Sequence, residues 1–294
     1  MRYLFFLGCT APTRVQGYEL STRKVLPALG VELVDEPLFT CCSPAPIIPS
    51  IDFLTSLAIT ARNLCIAEEA GSDIVTLCNG CYGNLSTAIH QMEREETREK
   101  VNRILAEIGY EYKGKVKVKH VTQVLFEDVG IEKIKARVKR PLPLRIGAYY
   151  GCHLIRPEEA LTFDYSEVPT KLDQIVTALG AESIWYESKF ECCGGTLRGF
   201  NDDISVELGR RKLVNLDKAN VDCVAVTCPF CFLQFDRGQV AITDRYGEEY
   251  NIPIFTITEL IGLAMGYDPT DLGIRLKAID ASKILERIFP SVSV

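Results

Sequence analysis

The chain has 294 residues, 47% hydrophobic and 24% charged, with a formal net charge of −6. That length allows one large domain or two of ordinary size, and the acidic balance leaves no footprint for nucleic acid or anionic lipid. No apolar run approaches the roughly 18 residues of a membrane span, so a cytoplasmic protein is expected.

In chain order, the start MRYLFFLGC holds the apolar run Tyr3–Leu7. It is too short for a signal-peptide core and predicts a first buried strand leading to Cys9. A second apolar run, LFTCC, ends at Cys41-Cys42, and the proline-rich CCSPAPIIP beginning there predicts a loop held extended. Ser50–Ala70 predicts a helix, because Leu54, Leu57, Ala58, Ala61, Leu64 and Cys65 recur at helical spacing, with Ser50 as cap and Gly71 as stop. IVTLC then delivers Cys78, followed after two residues by Cys81. EREETREK (Glu93–Lys100) reads as a solvated helix face. The basic, proline-bearing RVKRPLPLR (Arg137–Arg145) reads as a linker. Beyond it GAYYGC leads to Cys152, WYESKFECC to Cys192-Cys193, and VAVTC to Cys228 and then Cys231. Short apolar runs alternating with helical patterns predict an α/β fold in two pseudo-repeated halves, residues 1–138 and 139–294. Each half has a mainly parallel sheet with cysteine loops at the strand carboxyl ends.

Twelve cysteines against three histidines dominate the chemistry. In a cytosolic chain, clustered cysteines bind metal or do redox work more often than they form disulfides. Ten of them make two matching sets: Cys9, Cys41-Cys42 and Cys78-x-x-Cys81, then Cys152, Cys192-Cys193 and Cys228-x-x-Cys231. The flanks repeat too, PALGVELVDEPLFTCC with TALGAESIWYESKFECC and IVTLCNGCYGNL with VAVTCPFCFLQF. Cys65 and Cys223 stand outside both sets and read as small core residues.

Vicinal disulfides would be strained. Zinc takes four thiolates where each set offers five, and an ordinary cubane uses a C-x2-C-x2-C run that is absent here. Five thiolates with an adjacent pair suit a larger or unusual iron–sulfur centre, with zinc in the first half as the alternative. Gly194-Gly195 after the second pair leave room for a bulky core, whereas Ser43-Pro44 follow the first. His153, next to Cys152, is a candidate proton donor. Arg14, Arg23, Arg156 and Arg198 follow cysteine loops at short distance and are candidate contacts for an anionic substrate.

Two copies of Cys…Cys-Cys…Cys-x-x-Cys, spread over nearly the whole chain, resemble the tandem CCG cysteine-rich domains. That family includes the B subunits of CoB–CoM heterodisulfide reductases. It also includes iron–sulfur subunits of glycolate, lactate, glycerol-3-phosphate and succinate dehydrogenase types. Many relatives carry fused C-x2-C-x2-C-x3-C-P ferredoxin runs; this chain has none, which favours the reductase. The resemblance implies one noncubane 4Fe–4S cluster per half. The first would be held by Cys9, Cys41, Cys42, Cys78 and Cys81, the second by Cys152, Cys192, Cys193, Cys228 and Cys231. It implies reduction of CoM-S-S-CoB to coenzyme M and coenzyme B in methanogenesis, with the disulfide between the halves. The implied partners are the reductase's ferredoxin-type C subunit, its flavin-bearing A subunit, and a hydrogenase or formate dehydrogenase beyond them. An electron-relay protein with no disulfide substrate is the alternative.

Overall fold

The computed structural model describes residues 1–43 and 47–290; residues 44–46, in the middle of the proline-rich stretch, and residues 291–294 lie outside the described residues. Strand β1 (Arg2–Phe6) passes through α1 (Thr10–Arg14) and α2 (Gln16–Ala28) to β2 (Glu32–Asp35). Helices α3 (Ile47–Ile51) and α4 (Phe53–Glu69) precede β3 (Ile74–Thr76). Then come α5 (Asn79–Met92), α6 (Glu95–Ala106), β4 (Val118–His120), α7 (Val121–Gln123) and α8 (Ile131–Ala136). The second half runs β5 (Arg145–Tyr149), α9 (Lys171–Ala178), β6 (Glu182–Ile184), α10 (Asp202–Lys218) and β7 (Cys223–Val226). It continues with α11 (Pro229–Tyr246), β8 (Ile254–Thr256), α12 (Ile257–Ala264) and α13 (Ser282–Ile288).

The two sheets have the orders β2-β1-β3-β4 and β6-β5-β7-β8, and every pairing is parallel. The expected α/β pseudo-repeat is therefore present. Strands β3, β7 and β8 (IVT, CVAV, IFT) are buried at every position, as a parallel sheet covered on both faces requires. In each sheet the strand order reverses between the two central strands, β1 and β3 or β5 and β7. The carboxyl ends at such a reversal border the crevice where open α/β sheets bind ligands. Cys65 and Cys223 lie in the core as expected, 1% and 0% exposed.

Three local expectations change. The helix expected over 50–70 begins at Phe53, and its cap is Asp52, whose carboxylate accepts the Leu54 and Thr55 N–H groups at 3.0 and 3.1 Å. Ser50 belongs to the separate turn of α3. LFTCC and WYESKFECC are loops rather than strands, since β2 ends at Asp35 and β6 at Ile184. Both are edge strands with a single neighbour, so the chain leaves the sheet early and side chains take over its backbone, as when Asn63 Oδ1 accepts the Thr40 N–H at 2.9 Å. Arg137–Arg145 is not a free tether. The Lys139 and Arg140 N–H groups donate to the Ala264 carbonyl at 2.8 and 2.9 Å, and Leu142 and Leu144 are buried.

The halves also interlock. Helix α2 lies on α12, with Ser21 Oγ 2.7 Å from Thr258 Oγ1. The Tyr18 hydroxyl donates to the Thr227 carbonyl at 3.1 Å. Asn79 Nδ2 donates to the Tyr150 carbonyl at 2.6 Å.

Candidate metal centre

Each C-x-x-C opens a helix directly after a central strand. Cys78 caps α5 and Cys228 caps α11, each with its backbone still extended; Cys81 and Cys231 follow in the first turn. Unpaired N–H groups and the positive end of the helix dipole favour thiolate there. The single cysteines sit just past the other central strand, each after a glycine with positive φ, Gly8 at +67° and Gly151 at +71°. A Cβ at Gly8 would stand 2.8 Å from Cys81 Sγ, and one at Gly151 2.6 Å from Asn79 Nδ2 and 3.3 Å from Cys231 Sγ. These glycines let the single cysteine and the C-x-x-C close on one another.

The adjacent pairs arrive on the loops after the edge strands. In the second half, the Gly194 N–H donates to Cys192 Sγ and the Gly195 N–H to Cys193 Sγ, both at 3.3 Å. In the first half Asn84 Nδ2 reaches Cys42 Sγ at 3.7 Å and the Cys42 carbonyl at 3.2 Å. A side-chain amide thus serves where the sequence lacks glycines. Cys193 Sγ lies 3.6 Å from Cys231 Sγ, and Cys78 and Cys228 hydrogen-bond across the boundary between the halves.

All ten cysteines line one cavity, together with Thr10, Asn79, Gly80, Asn84, His153, Thr196 and Phe230. Protons are unevenly held within it. Cys42 is drawn well below the usual thiol range, first by hydrogen bonds from Cys41 and Cys81. Cys192 is drawn down to about 2, first by hydrogen bonds from Cys152 and Cys193, against its burial. Cys9 and Cys152 are pushed up, each chiefly by its hydrogen bond to the adjacent-pair cysteine, Cys41 or Cys192. Crowded thiols of which some are already thiolate are the form that binds metal.

The donor set fits a sulfur-ligated cofactor: five thiols from each half and no carboxylate among the lining residues. Among the described residues, no three Cys, His, Asp or Glu side chains gather around a single ion position; the thiols ring a space instead.

The remaining candidates separate. His153 lines the cavity and packs its Cβ against α5, 3.4 Å from where a Cβ on Gly83 would lie. Arg14 and Arg198 line a second pocket that shares Thr10, Thr196 and Phe230 with the cysteine cavity. Arg23 does not reach either pocket; it is paired with Glu19 at 2.8 Å and Asp35 at 2.6 Å. Nor does Arg156, which donates to the Phe190 and Ser166 carbonyls at 3.0 and 2.8 Å and so ties loops together. Sequence reasoning missed Arg237, which joins Arg14 and Arg198 in the second pocket. The signal was there: Phe230, Leu233, Gln234 and Arg237 recur at helical spacing on α11. It also missed Asn84 and Gln234, each the third residue past its C-x-x-C, a match that the repeat itself displays.

The family profile described as a cysteine-rich domain, CCG, matches residues 3–86 and 146–236. The chain is 40% identical over 287 residues to the B subunit of the ferredoxin/F420H2-dependent CoB-CoM heterodisulfide reductase of Methanosarcina acetivorans, covering 97% of this chain and 96% of that one. It is 30% identical over 283 residues to the 8-methylmenaquinol:fumarate reductase membrane anchor subunit of Wolinella succinogenes, covering 96% and 98%. No helix among the described residues is long and apolar enough to cross a membrane. A hypothetical protein from Helicobacter pylori, solved by crystallography, shares the fold at a TM-score of 0.76 and 16% identity, over 95% of this chain and 52% of that one. The chain therefore belongs to the CCG cysteine-rich family and carries two copies of its domain.

Proposed function

We propose that the chain is the catalytic iron–sulfur subunit of a CoB–CoM heterodisulfide reductase, acting in the cytoplasm of a methanogen. The observation that carries this reading is the convergence of ten thiols from two halves on one cavity, with Cys78 and Cys228 in contact across the boundary. In this reading Cys9, Cys41, Cys42, Cys78 and Cys81 hold one noncubane 4Fe–4S cluster, and Cys152, Cys192, Cys193, Cys228 and Cys231 hold the other. When bound, the pair supplies the two electrons that cleave an S–S bond, and two protons complete the two thiols. His153, the one imidazole lining the cavity, holds a proton on its ring nitrogen for a departing thiolate. Arg14, Arg198 and Arg237 bind the anionic ends of the disulfide, and Phe200 and Phe230 in the same pocket cover its apolar parts. The relative from a heterodisulfide reductase further supports three partners: directly, the ferredoxin-type C subunit of such a complex, then its flavin-bearing A subunit, and a hydrogenase or formate dehydrogenase beyond.

The relative that belongs to a fumarate reductase favours a second reading, an electron relay with no disulfide of its own. Metal and sulfide content of anaerobically purified protein tests the cofactor. On the order of eight irons with matching sulfide and no zinc is expected, whereas about four irons with one zinc would make the first half a zinc site. Cys193→Ala should lose the second centre and all turnover; full activity in that variant sinks the site assignment. Adding coenzyme M to the oxidised protein should produce a thiol-bound paramagnetic state, to which a relay is indifferent.

A further inference from the structure

Three lysine side chains are sunk into the second half. Lys189 pairs with Asp173 at 2.5 Å and Lys277 with Glu259 at 2.7 Å. Lys212, 1% exposed, differs: among the described residues its ammonium forms no ion pair with a carboxylate. It projects from α10, donates to the Ser188 carbonyl and stands 5.1 Å from the centre of the Tyr149 ring. Both contacts lie against the loop that delivers the adjacent cysteines. Asn215, one turn further along α10, donates to Ser188 Oγ at 3.0 Å, and the Tyr149 hydroxyl donates to the carbonyl of Glu191 at 2.8 Å, one residue before Cys192. A buried, unpaired ammonium is strongly disfavoured unless an anion lies within reach. Burial pulls Lys212 down to about 8, and Glu191 with Cys193, Cys192 and Cys231 pull it back up.

The first half offers no such charge. On the matching helix α4, the corresponding loop is held by the neutral amide of Asn63, which accepts from the Thr40 N–H and donates to the Cys41 carbonyl at 3.3 Å. Arg62 reaches the Leu38 carbonyl at 3.0 Å from the exposed side, where salt and water screen it.

We propose that Lys212 is the counter-ion of the second metal centre and holds that centre's reduction potential above that of the first. This rests on the reading of the ten cysteines as two iron–sulfur sites. A thiolate-bound iron–sulfur core is a net anion and becomes more so on gaining an electron. A fixed cation in surroundings of low dielectric therefore stabilises the reduced form more than the oxidised one. The near-symmetric halves thus become electrically unequal, and the second site fills first.

Two variants of the full chain separate charge from position. Lys212→Gln keeps a donor for the Ser188 carbonyl and drops the charge; Lys212→Arg keeps the charge. Iron and sulfide are measured first, and a wild-type chain lacking them defeats the iron–sulfur reading itself. With iron present, a potentiometric titration followed by electron paramagnetic resonance is expected to show two reduction waves in the wild type. The upper wave should shift down in Lys212→Gln and stay in place in Lys212→Arg. Loss of half the iron in Lys212→Gln alone also supports the counter-ion. One unsplit wave in the wild type, an unmoved upper wave in Lys212→Gln, or the same shift or iron loss in both variants overturns it.

Discussion

Directly after each adjacent cysteine pair the backbone turns left-handed, at Gly194 with φ +77° and at Ser43 with φ +63°. An L side chain in that region costs about 1–2 kcal/mol, so the first half accepts strain where the second has none. Ser43 is held there by its neighbours: its hydroxyl lies 2.9 Å from Ser56 Oγ, and Asn84 Nδ2 donates to its carbonyl. At Gly194 a new Cβ would lie 3.0 Å from Leu208 Cβ and 3.1 Å from the Ser205 carbonyl oxygen, adding overpacking to strain. Gly194→Ala should therefore lower stability by about 2–4 kcal/mol and deplete the second set of its metal. Ser43→Gly, which relieves strain but frees the unfolded chain, should stay within about 1 kcal/mol of wild type. Urea unfolding of the two variants checks the contrast, and equal losses would refute it. The missing glycine after Cys42 thus marks a change of residue without a change of backbone. A single sequence shows the former and hides the latter, because the compensating Asn84 lies far along the chain.

At the scale of elements, the cysteine spacing announced the two halves and their parallel sheets, since each crossover needs a strand, a helix and a return. Loop against strand was not legible at LFTCC and WYESKFECC, where apolar residues pack under loops instead of pairing. The end of β4 carries a feature whose consequence is measurable. His120 is fully buried and caps α7, its Nδ1 accepting the Thr122 N–H at 3.1 Å. Its Nε2 faces the backbone of Leu77 and Thr227 without a hydrogen bond of ordinary geometry. Burial lowers the pKa from 6.5 to about 4. The unfolded chain then binds the proton first as pH falls, so stability is full above about 6.5 and is lost progressively toward about 4, by roughly 3 kcal/mol in all. His120→Asn, which caps without titrating in this range, should flatten that limb. Denaturation midpoints of the two chains between pH 7 and 5 provide the check, and parallel pH profiles would exclude His120 as the cause.

For the whole molecule, the decisive feature is the boundary between the halves, and nothing in a one-dimensional pattern marked it. Helices α2 and α12 bury polar groups that have no purpose within their own halves: Ser21 and Thr22 both reach the Thr258 hydroxyl, at 2.7 and 3.3 Å. Tyr18, fully buried in the first half, donates to the carbonyl of Thr227, next to the metal-facing Cys228 of the second. Asn79, next to Cys78, donates to the carbonyl of Tyr150, which Thr227 Oγ1 also reaches at 2.9 Å. The residues that position one cysteine set are therefore anchored in the half that carries the other, and neither cavity wall is complete alone. Such an arrangement unfolds as one unit. Tyr18→Phe removes a single hydroxyl from this boundary and should cost about 1 kcal/mol. The cost should appear equally in both halves, although the substitution lies in only one. Native-state hydrogen exchange resolves this, because peptides covering β3 and β7 report separately on the two sheets. Equal loss of protection in both is the expected result, while loss confined to β3 would mean that the halves open independently and that the shared cavity is not held together by this contact.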